Sequence, residues 1–326
     1  MRVQLLTAND IERVLDMAEA IDVVEDVFRH QQDEDACLPP KVYIDLPEFG
    51  GDIRAMPAYL PYLNAAGMKW VSVHRLNEER GLPSVHGVLI LNDPATGLPQ
   101  AVMDGMYITG LRTGAAGAVA ARHLARPDSA TLALVGCGVQ AQAQLDGLSR
   151  VFSLDEARVW GSLPEHVDGF LDRVKHPQCK LQPCATVKEC VEGADIVVTA
   201  TPSREPLVRR EWLKDGAHIN AIGSSRRGQR ELAADVLRNA KIVVDDWVQA
   251  AAAGEIEVPV TEGWISRDSI HGTLSDVVTG RIPGRETAAE TTVFDATGTA
   301  LEDLACAAVA YRRCIERGYG TELQLG

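Results

Sequence analysis

The chain has 326 residues, 46% of them hydrophobic and only 5% aromatic, and a formal net charge of −14. That length implies two domains, and an aliphatic, aromatic-poor composition suits an α/β protein with Ala-, Val- and Leu-rich layers. The acidic field repels phosphate backbones and anionic lipid, so neither nucleic acid nor a membrane surface is an expected partner.

The N-terminal run MRVQLLTANDIERV turns acidic at once and has no signal-peptide core. With no apolar stretch of about 18 residues anywhere, a cytoplasmic protein without a membrane span is expected. Residues 7–32 predict two short helices, the first capped by Thr7 and Asp10, the second opened by Asp16 and Glu19 and ended by Pro39 and Pro40. From Lys41 the hydrophobic period changes to two: Val42, Ile44 and Leu46 alternate with Lys41, Tyr43 and Asp45, and Gly50-Gly51 marks a hairpin. Further strands are expected at 52–58, 67–74, 86–92 and 98–104, giving a mostly antiparallel sheet. An Ala- and Gly-rich helix follows over 107–125.

After Pro127 the rhythm becomes alternating strand and helix. Strands are expected at 132–135, 157–160, 195–200, 218–222 and 241–244, and helices at 164–175, 186–193 and 231–238. This predicts a doubly wound parallel sheet. A last strand, Thr292-Val293-Phe294, runs into a long helix over 299–316. Seven scattered cysteines, an odd number, point to a reducing compartment. Cys179, Cys184 and Cys190 lie near one another but match no zinc spacing, so they are expected as free thiols and no metal is expected.

The best local motif is Gly136-Cys137-Gly138-Val139-Gln140-Ala141, G-x-G-x-x-A, after an apolar strand and before a helical run. The first glycine permits the tight turn. The second admits a pyrophosphate to the backbone, and Ala141 lets helix and strand approach. Gly136, Gly138, Val139 and Gln140 are therefore candidate dinucleotide contacts. The next strand, Ala157–Trp160, ends in Gly161-Ser162, where an acid for an adenine-ribose 2′-OH is absent. NADP(H) is accordingly expected in preference to NAD(H), with Ser162 beside it and Arg158 and His166 as possible phosphate partners or plain solvated charges. Thr201 and Pro202 follow one buried strand, and Gly223 and Ser225 follow another. Both loops fall at strand ends where α/β sheets bind ligands.

Lys41, Arg54, Lys69 and Arg112 sit on strands or element ends. Spacing alone admits two readings: solvated strand charges, or cations turned inward toward an anion. Arg54 suits bidentate binding of a carboxylate, and a buried Lys69 suits acid–base work. Asp93, Asp104, Asp295 and Asp303 are further candidate bases whose positions the sequence does not give.

The runs Pro39-Pro40-Lys41-Val42, Arg54-Ala55-Met56-Pro57, Gly67-Met68-Lys69-Trp70, Gly81-Leu82-Pro83-Ser84, Leu111-Arg112-Thr113-Gly114-Ala115, the Gly136 turn, Ile219-Asn220-Ala221-Ile222-Gly223 and Phe294-Asp295-Ala296-Thr297-Gly298 occur in one order along nearly the whole chain. Together they resemble the ornithine cyclodeaminase/μ-crystallin family, close to its archaeal alanine dehydrogenase and ketimine reductase branches. The resemblance implies a Rossmann-type doubly wound sheet over 113–298. This is inserted in a discontinuous α+β substrate and dimerisation domain, 1–112 with 299–326, through which a homodimer forms. It also implies roles. Arg54 holds the substrate carboxylate, Lys69 is catalytic, and Lys41 lines the same pocket. Arg112 and Thr113 contact cofactor phosphate, Ser84 stands near the nicotinamide, and Gly298 joins the cofactor site.

One position departs from the cyclodeaminase pattern. Where those enzymes carry a catalytic Asp, this chain has Ser225, as the ketimine reductase branch does. Cyclodeamination and oxidative deamination both need a group that titrates near working pH, which a Ser hydroxyl does not. Reduction of a preformed imine needs only a hydride donor, a proton for nitrogen and a carboxylate anchor. The expected function is therefore NAD(P)H-dependent reduction of small cyclic or acyclic imino acids of the ketimine or pyrroline-2-carboxylate type to L-amino acids. Alanine dehydrogenase, then ornithine cyclodeaminase, are the alternatives, with a non-catalytic, crystallin-like NADP-binding protein as the reading outside catalysis.

Overall fold

The computed structural model describes residues 2–33, 36–176, 178–324 and 326. It divides into two compact units, Met1–Arg112 with Thr299–Gly326, and Thr113–Gly298.

The first unit opens with β1 (Arg2–Leu6) and two helices, α1 (Ala8–Glu12) and α2 (Met17–His30). Thr7 and Asp10 form a capping box on α1, and Asp16 and Glu19 form one on α2, as their spacing predicts. Strands β2 (Val42–Leu46), β3 (Gly51–Leu60), β4 (Ala65–His74), β5 (Val85–Asn92) and β6 (Pro99–Asp104) follow as an antiparallel run. The sheet has seven strands, because β1 pairs parallel with β6 and antiparallel with Thr321–Gln324 at the far end of the chain. Neither of these two strands was expected from the sequence.

Register sorts the side chains of this sheet onto two faces. One row runs Tyr43, Arg54, Val71, and the next runs Met56, Lys69, Leu89, Met103. This face receives the C-terminal helix Ala300–Arg317, which packs on α2 and on β3, β4 and β5. The opposite face carries the row Val42, Ala55, Trp70, Val88. Helix α3 (Gly105–Leu124) leaves β6 and continues into the second unit.

The second unit is an eight-stranded sheet paired in parallel throughout, the doubly wound architecture that alternating strand and helix predicts. Its strands are β7 (Thr131–Val135), β8 (Glu156–Trp160), β9 (Lys180–Pro183), β10 (Ile196–Thr199), β11 (His218–Ala221), β12 (Ala240–Val244), β13 (Gly272–Thr273) and β14 (Thr291–Asp295). Their order is β9-β8-β7-β10-β11-β14-β12-β13, which reverses between β7 and β10. Ligands of open α/β sheets bind outside the carboxyl ends of the strands at such a reversal. The helix expected over 231–238 begins only at Ala234, because the N–H groups of Glu231 and Leu232 are drawn instead to the buried carboxylate of Glu255.

A polar network runs through this unit. Gln144 donates to the Thr113 carbonyl (2.6 Å) and accepts from Asn220 Nδ2 (3.0 Å), which also donates to the Gly117 carbonyl. Asn220 Oδ1 meets His218 Nε2, and His218 Nδ1 meets Thr292 Oγ1, each at 2.9 Å. Burial holds the His218 ring neutral, its pKa pushed down to about 3.

Candidate active site

The inward-facing cations of the first unit are built from strand alternation. Arg54 on β3 and Lys69 on β4 lie on one face, diagonal to each other in the register. Both are buried, at 6% and 2% exposure. Lys41 precedes β2 and, by continuation of the same alternation, falls on that face as well.

Arg54, Lys69 and Arg112 are each held by a carboxylate. Arg54 donates Nε to Asp52 Oδ1 (2.6 Å) and Nη2 to Asp52 Oδ2 (3.3 Å), and its guanidinium lies 5.2 Å from the Tyr43 ring. Asp52 is two residues earlier on the same strand face, so the pair is a local device that fixes the fork. Lys69 Nζ lies 2.5 Å from Asp303 Oδ2 and donates to Thr109 Oγ1 at 3.3 Å. Thr109 in turn donates to the Gly105 carbonyl. Arg112 donates Nε to the other Asp303 oxygen (2.9 Å) and Nη1 to Glu302 Oε2 (3.1 Å). Glu302 also closes a capping box with Thr299 at the start of the C-terminal helix.

Two cations and two carboxylates thus balance in a buried cluster. Burial pulls the Lys69 pKa down to about 8; Asp303 opposes the fall and Arg112 adds to it. Burial raises the Asp303 carboxyl, but Arg112 and Lys69 outweigh it and hold the group below the usual carboxylate range. An ammonium titrating near 8 can hold or release a proton at working pH, which a surface lysine cannot.

In the second unit, Gly136 follows β7 with φ +117, a conformation that favours glycine. A Cβ there would stand 2.6 Å from the Ala200 carbonyl oxygen beyond β10, so the two strand ends are in direct contact. Gly138 caps the helix α4 (Val139–Val151), and a Cβ on it would meet nothing within 4 Å. That open backbone, a helix start with no acid in its first turn, and a buried Gln140 Oε1 without a partner among the described residues suit an incoming pyrophosphate. Ala141 is fully buried against the sheet.

Ser162 lies exposed beyond β8, and His166 is exposed on the following helix. Arg158 is engaged, donating to Glu156 (2.8 Å) and to the Glu192 carbonyl (2.6 Å). Ser84 immediately precedes β5, its carbonyl accepting from the His74 N–H. Arg112 commits two nitrogens to carboxylates, and Nη2 takes part in neither contact. Thr113 is buried next to it. Of the further candidate bases, Asp303 alone meets Lys69. Asp93 closes its own turn with Ala95 and Thr96, and Asp104 caps α3.

Four buried carboxylates lie behind the strand-end loops of this unit. Glu231 accepts from the N–H groups of Thr201 (2.6 Å) and Gly223 (3.0 Å). Glu255 accepts from Ser224 Oγ and from the N–H groups of Glu231 and Leu232. Asp295 accepts from the N–H groups of Glu255 and Ile256, and Asp245 accepts from Thr297 Oγ1 and the Gly298 N–H. Burial lifts Glu231 and Asp295 to about 7, and burial with the neighbouring Glu231 charge pushes Glu255 well above the usual carboxylate range. Ser225 donates its N–H to Gln229.

Sequence reasoning missed Asp52, Thr109, Glu302, Glu231 and Glu255. Asp52 left a local signal in its i, i+2 spacing from Arg54, and Glu302 left one in its capping-box spacing from Thr299.

A family model described as the ornithine cyclodeaminase/mu-crystallin family matches residues 1–318. An alanine dehydrogenase of Archaeoglobus fulgidus is 42% identical over 326 residues, covering 99% of each chain. Among solved structures, an archaeal alanine dehydrogenase dimer with bound NAD superposes with a TM-score of 0.95 at 41% identity over the full length of both chains. The Δ1-pyrroline-2-carboxylate reductase of Thermococcus litoralis, in complex with NADH and L-proline, gives a TM-score of 0.95 at 36% identity, over 98% of this chain and 99% of that one.

Proposed function

The chain belongs to the ornithine cyclodeaminase/mu-crystallin family, and from that premise we propose that it is a nicotinamide-dependent oxidoreductase that reduces small imino acids to L-amino acids. The observation that carries this reading is the buried Lys69–Asp303 pair on the same sheet face as Arg54. It joins a proton donor with a pKa of about 8 to a carboxylate-binding fork.

In this reading the first unit binds the imino acid. Arg54, fixed by Asp52 and Tyr43, takes the substrate carboxylate, with Lys41 alongside. Lys69 holds its proton at the imine nitrogen, which makes the adjacent carbon electrophilic. Asp303 and Thr109 keep the ammonium in place. The second unit holds the cofactor through Gly136, Gly138, Val139 and Gln140, with Thr201, Pro202, Gly223, Ser225 and Gly298 at the strand ends and Ser84, Arg112 and Thr113 completing the contacts. When bound, the reduced nicotinamide supplies hydride to the imine carbon. Ser225 orients substrate or nicotinamide by hydrogen bonding, without titrating. That β8 runs into Gly161-Ser162 in the sequence, without an acid at the strand end, supports a preference for NADP(H), with NAD(H) also accepted.

A second reading, alanine dehydrogenase, is favoured by the 42% identity to the archaeal enzyme. Reduced-cofactor consumption separates the two. The proposal expects turnover of pyrroline-2-carboxylate or piperideine-2-carboxylate well above that of pyruvate with ammonia, faster with NADPH than with NADH. It also expects Lys69→Met to lose about 100-fold or more of turnover while still binding cofactor. Turnover of pyruvate with ammonia alone would establish the dehydrogenase instead. Ornithine consumption without net cofactor reduction would establish cyclodeamination.

A further inference from the structure

The loops after β10 and β11 carry Thr201, Pro202, Gly223 and Ser225, and nothing in the sequence explains what sets their spacing. Glu231 does so in the structure. Its side chain is fully buried, and its two oxygens divide between the loops: Oε1 accepts from the Thr201 N–H, and Oε2 accepts from the Gly223 N–H. The loops are also in direct contact. The Gly223 N–H reaches the Thr199 carbonyl at 3.1 Å, and a Cβ on Gly223 would stand 2.2 Å from the Thr201 carbonyl oxygen and 2.5 Å from Glu231 Oε2. Glu231 is itself anchored from behind, its N–H received by Glu255, whose carboxylate also takes Ser224 Oγ.

We propose that Glu231 is a positioning residue for the reaction: a single buried carboxylate that locks the β10 and β11 loops at the spacing the cofactor and substrate contacts require. This rests on the reading of those loops as the cofactor site. Glu231 touches no reacting atom and acts through Thr201, Gly223 and Ser224.

The same strand supplies a matched control. Asp195, at the opposite end of β10, is also a carboxylate that receives two backbone N–H groups, those of Ala130 (3.0 Å) and Thr131 (2.9 Å), and it pairs with Arg126 and Lys214. It braces the sheet at the end away from the strand-end loops.

The test measures Tm, the Kd for NADPH and NADH by fluorescence, and kcat and KM for the imino acid in the full-length protein. Glu231→Gln turns an amide N–H toward a backbone N–H and so frees one loop. Glu231→Asp keeps the charge but shortens the reach by one methylene, and it serves if the amide variant does not fold. Both are expected to lower kcat about ten- to hundred-fold and to weaken cofactor binding, since misplacement of about 1 Å suffices for such a loss. Asp195→Asn is expected to lower Tm while kcat and the cofactor Kd stay within about two-fold. If the Glu231 variants lose Tm as Asp195→Asn does yet keep kcat and cofactor Kd, the residue is purely structural and the proposal is overturned. If wild-type protein binds neither cofactor, the reading of the site falls first, and this inference falls with it.

Discussion

Lys69 shows how far one buried charge depends on its partners. Burial disfavours its ammonium, Asp303 supports it, and the balance leaves a pKa of about 8. Because this lies below the ordinary 10.5, the unfolded chain binds more protons than the folded one between about 8 and 10.5. The Lys69 contribution to stability therefore rises with pH across that window and is least favourable below it. For catalysis the sign is opposite: the proton needed by an imine nitrogen is present below about 8 and lost above. Removing the Asp303 charge leaves burial and Arg112 opposed only by the smaller pull of Glu302. Asp303→Asn is therefore expected to move the alkaline limb of kcat to lower pH by about one unit or more and to cut kcat at pH 7.5 by about ten-fold. A pH–rate profile unchanged in position would remove Lys69 from the proton-transfer role. Arg54 and Lys69 were legible through the family resemblance of their motifs, because a period-two pattern alone lets a cation turn either inward or out to water. Asp303 was legible only as one acid among several, since its partner lies 234 residues earlier in the chain.

Asn220 lies on β11 inside a motif that reads as part of a ligand site, yet its side chain faces the interior. It joins α3, α4 and two parallel strands through Gly117, Gln144 and His218. Asn220→Ala leaves the His218 and Gln144 groups without their partner in a site with no room for bulk water. A loss of about 2–4 kcal/mol follows, read as a clear drop in Tm, with kcat per folded molecule nearly unchanged. An unchanged Tm would mean that the network contributes nothing to holding α3 and α4 on the sheet. Elements with strong internal pattern were readable: the capped α2, the alternation through β2 to β6, and the strand–helix rhythm from β7 onward. Elements defined by a distant partner were not. Residues 2–6 become a strand only because β6 and Thr321–Gln324 flank them, and β13 is two residues long.

At the scale of the molecule, one face of the antiparallel sheet departs from the usual distribution of apolar side chains. Val42 and Ile44 are 59% and 47% exposed, and Trp70 and Val88 extend the Val42 row across the neighbouring strands at 37% and 40%. A contiguous exposed apolar row on a sheet face is the pattern of a protein–protein interface. A second copy of the chain would bury that row, and self-association is the measurement that tests it. Ile44→Glu places an unpaired carboxylate at the β2 edge of that face without touching the inward cations, which occupy the opposite parity on β3 and β4. It is expected to weaken self-association by about 100-fold or more, read by sedimentation velocity as a shift from dimer to monomer at micromolar concentration. Val248→Glu adds the same charge at a more exposed apolar position in the second unit (59%) and is expected to leave the dimer intact. If Ile44→Glu sediments like wild type while Val248→Glu dissociates, the two units exchange roles in assembly. The apolar row on the sheet then needs a different occupant.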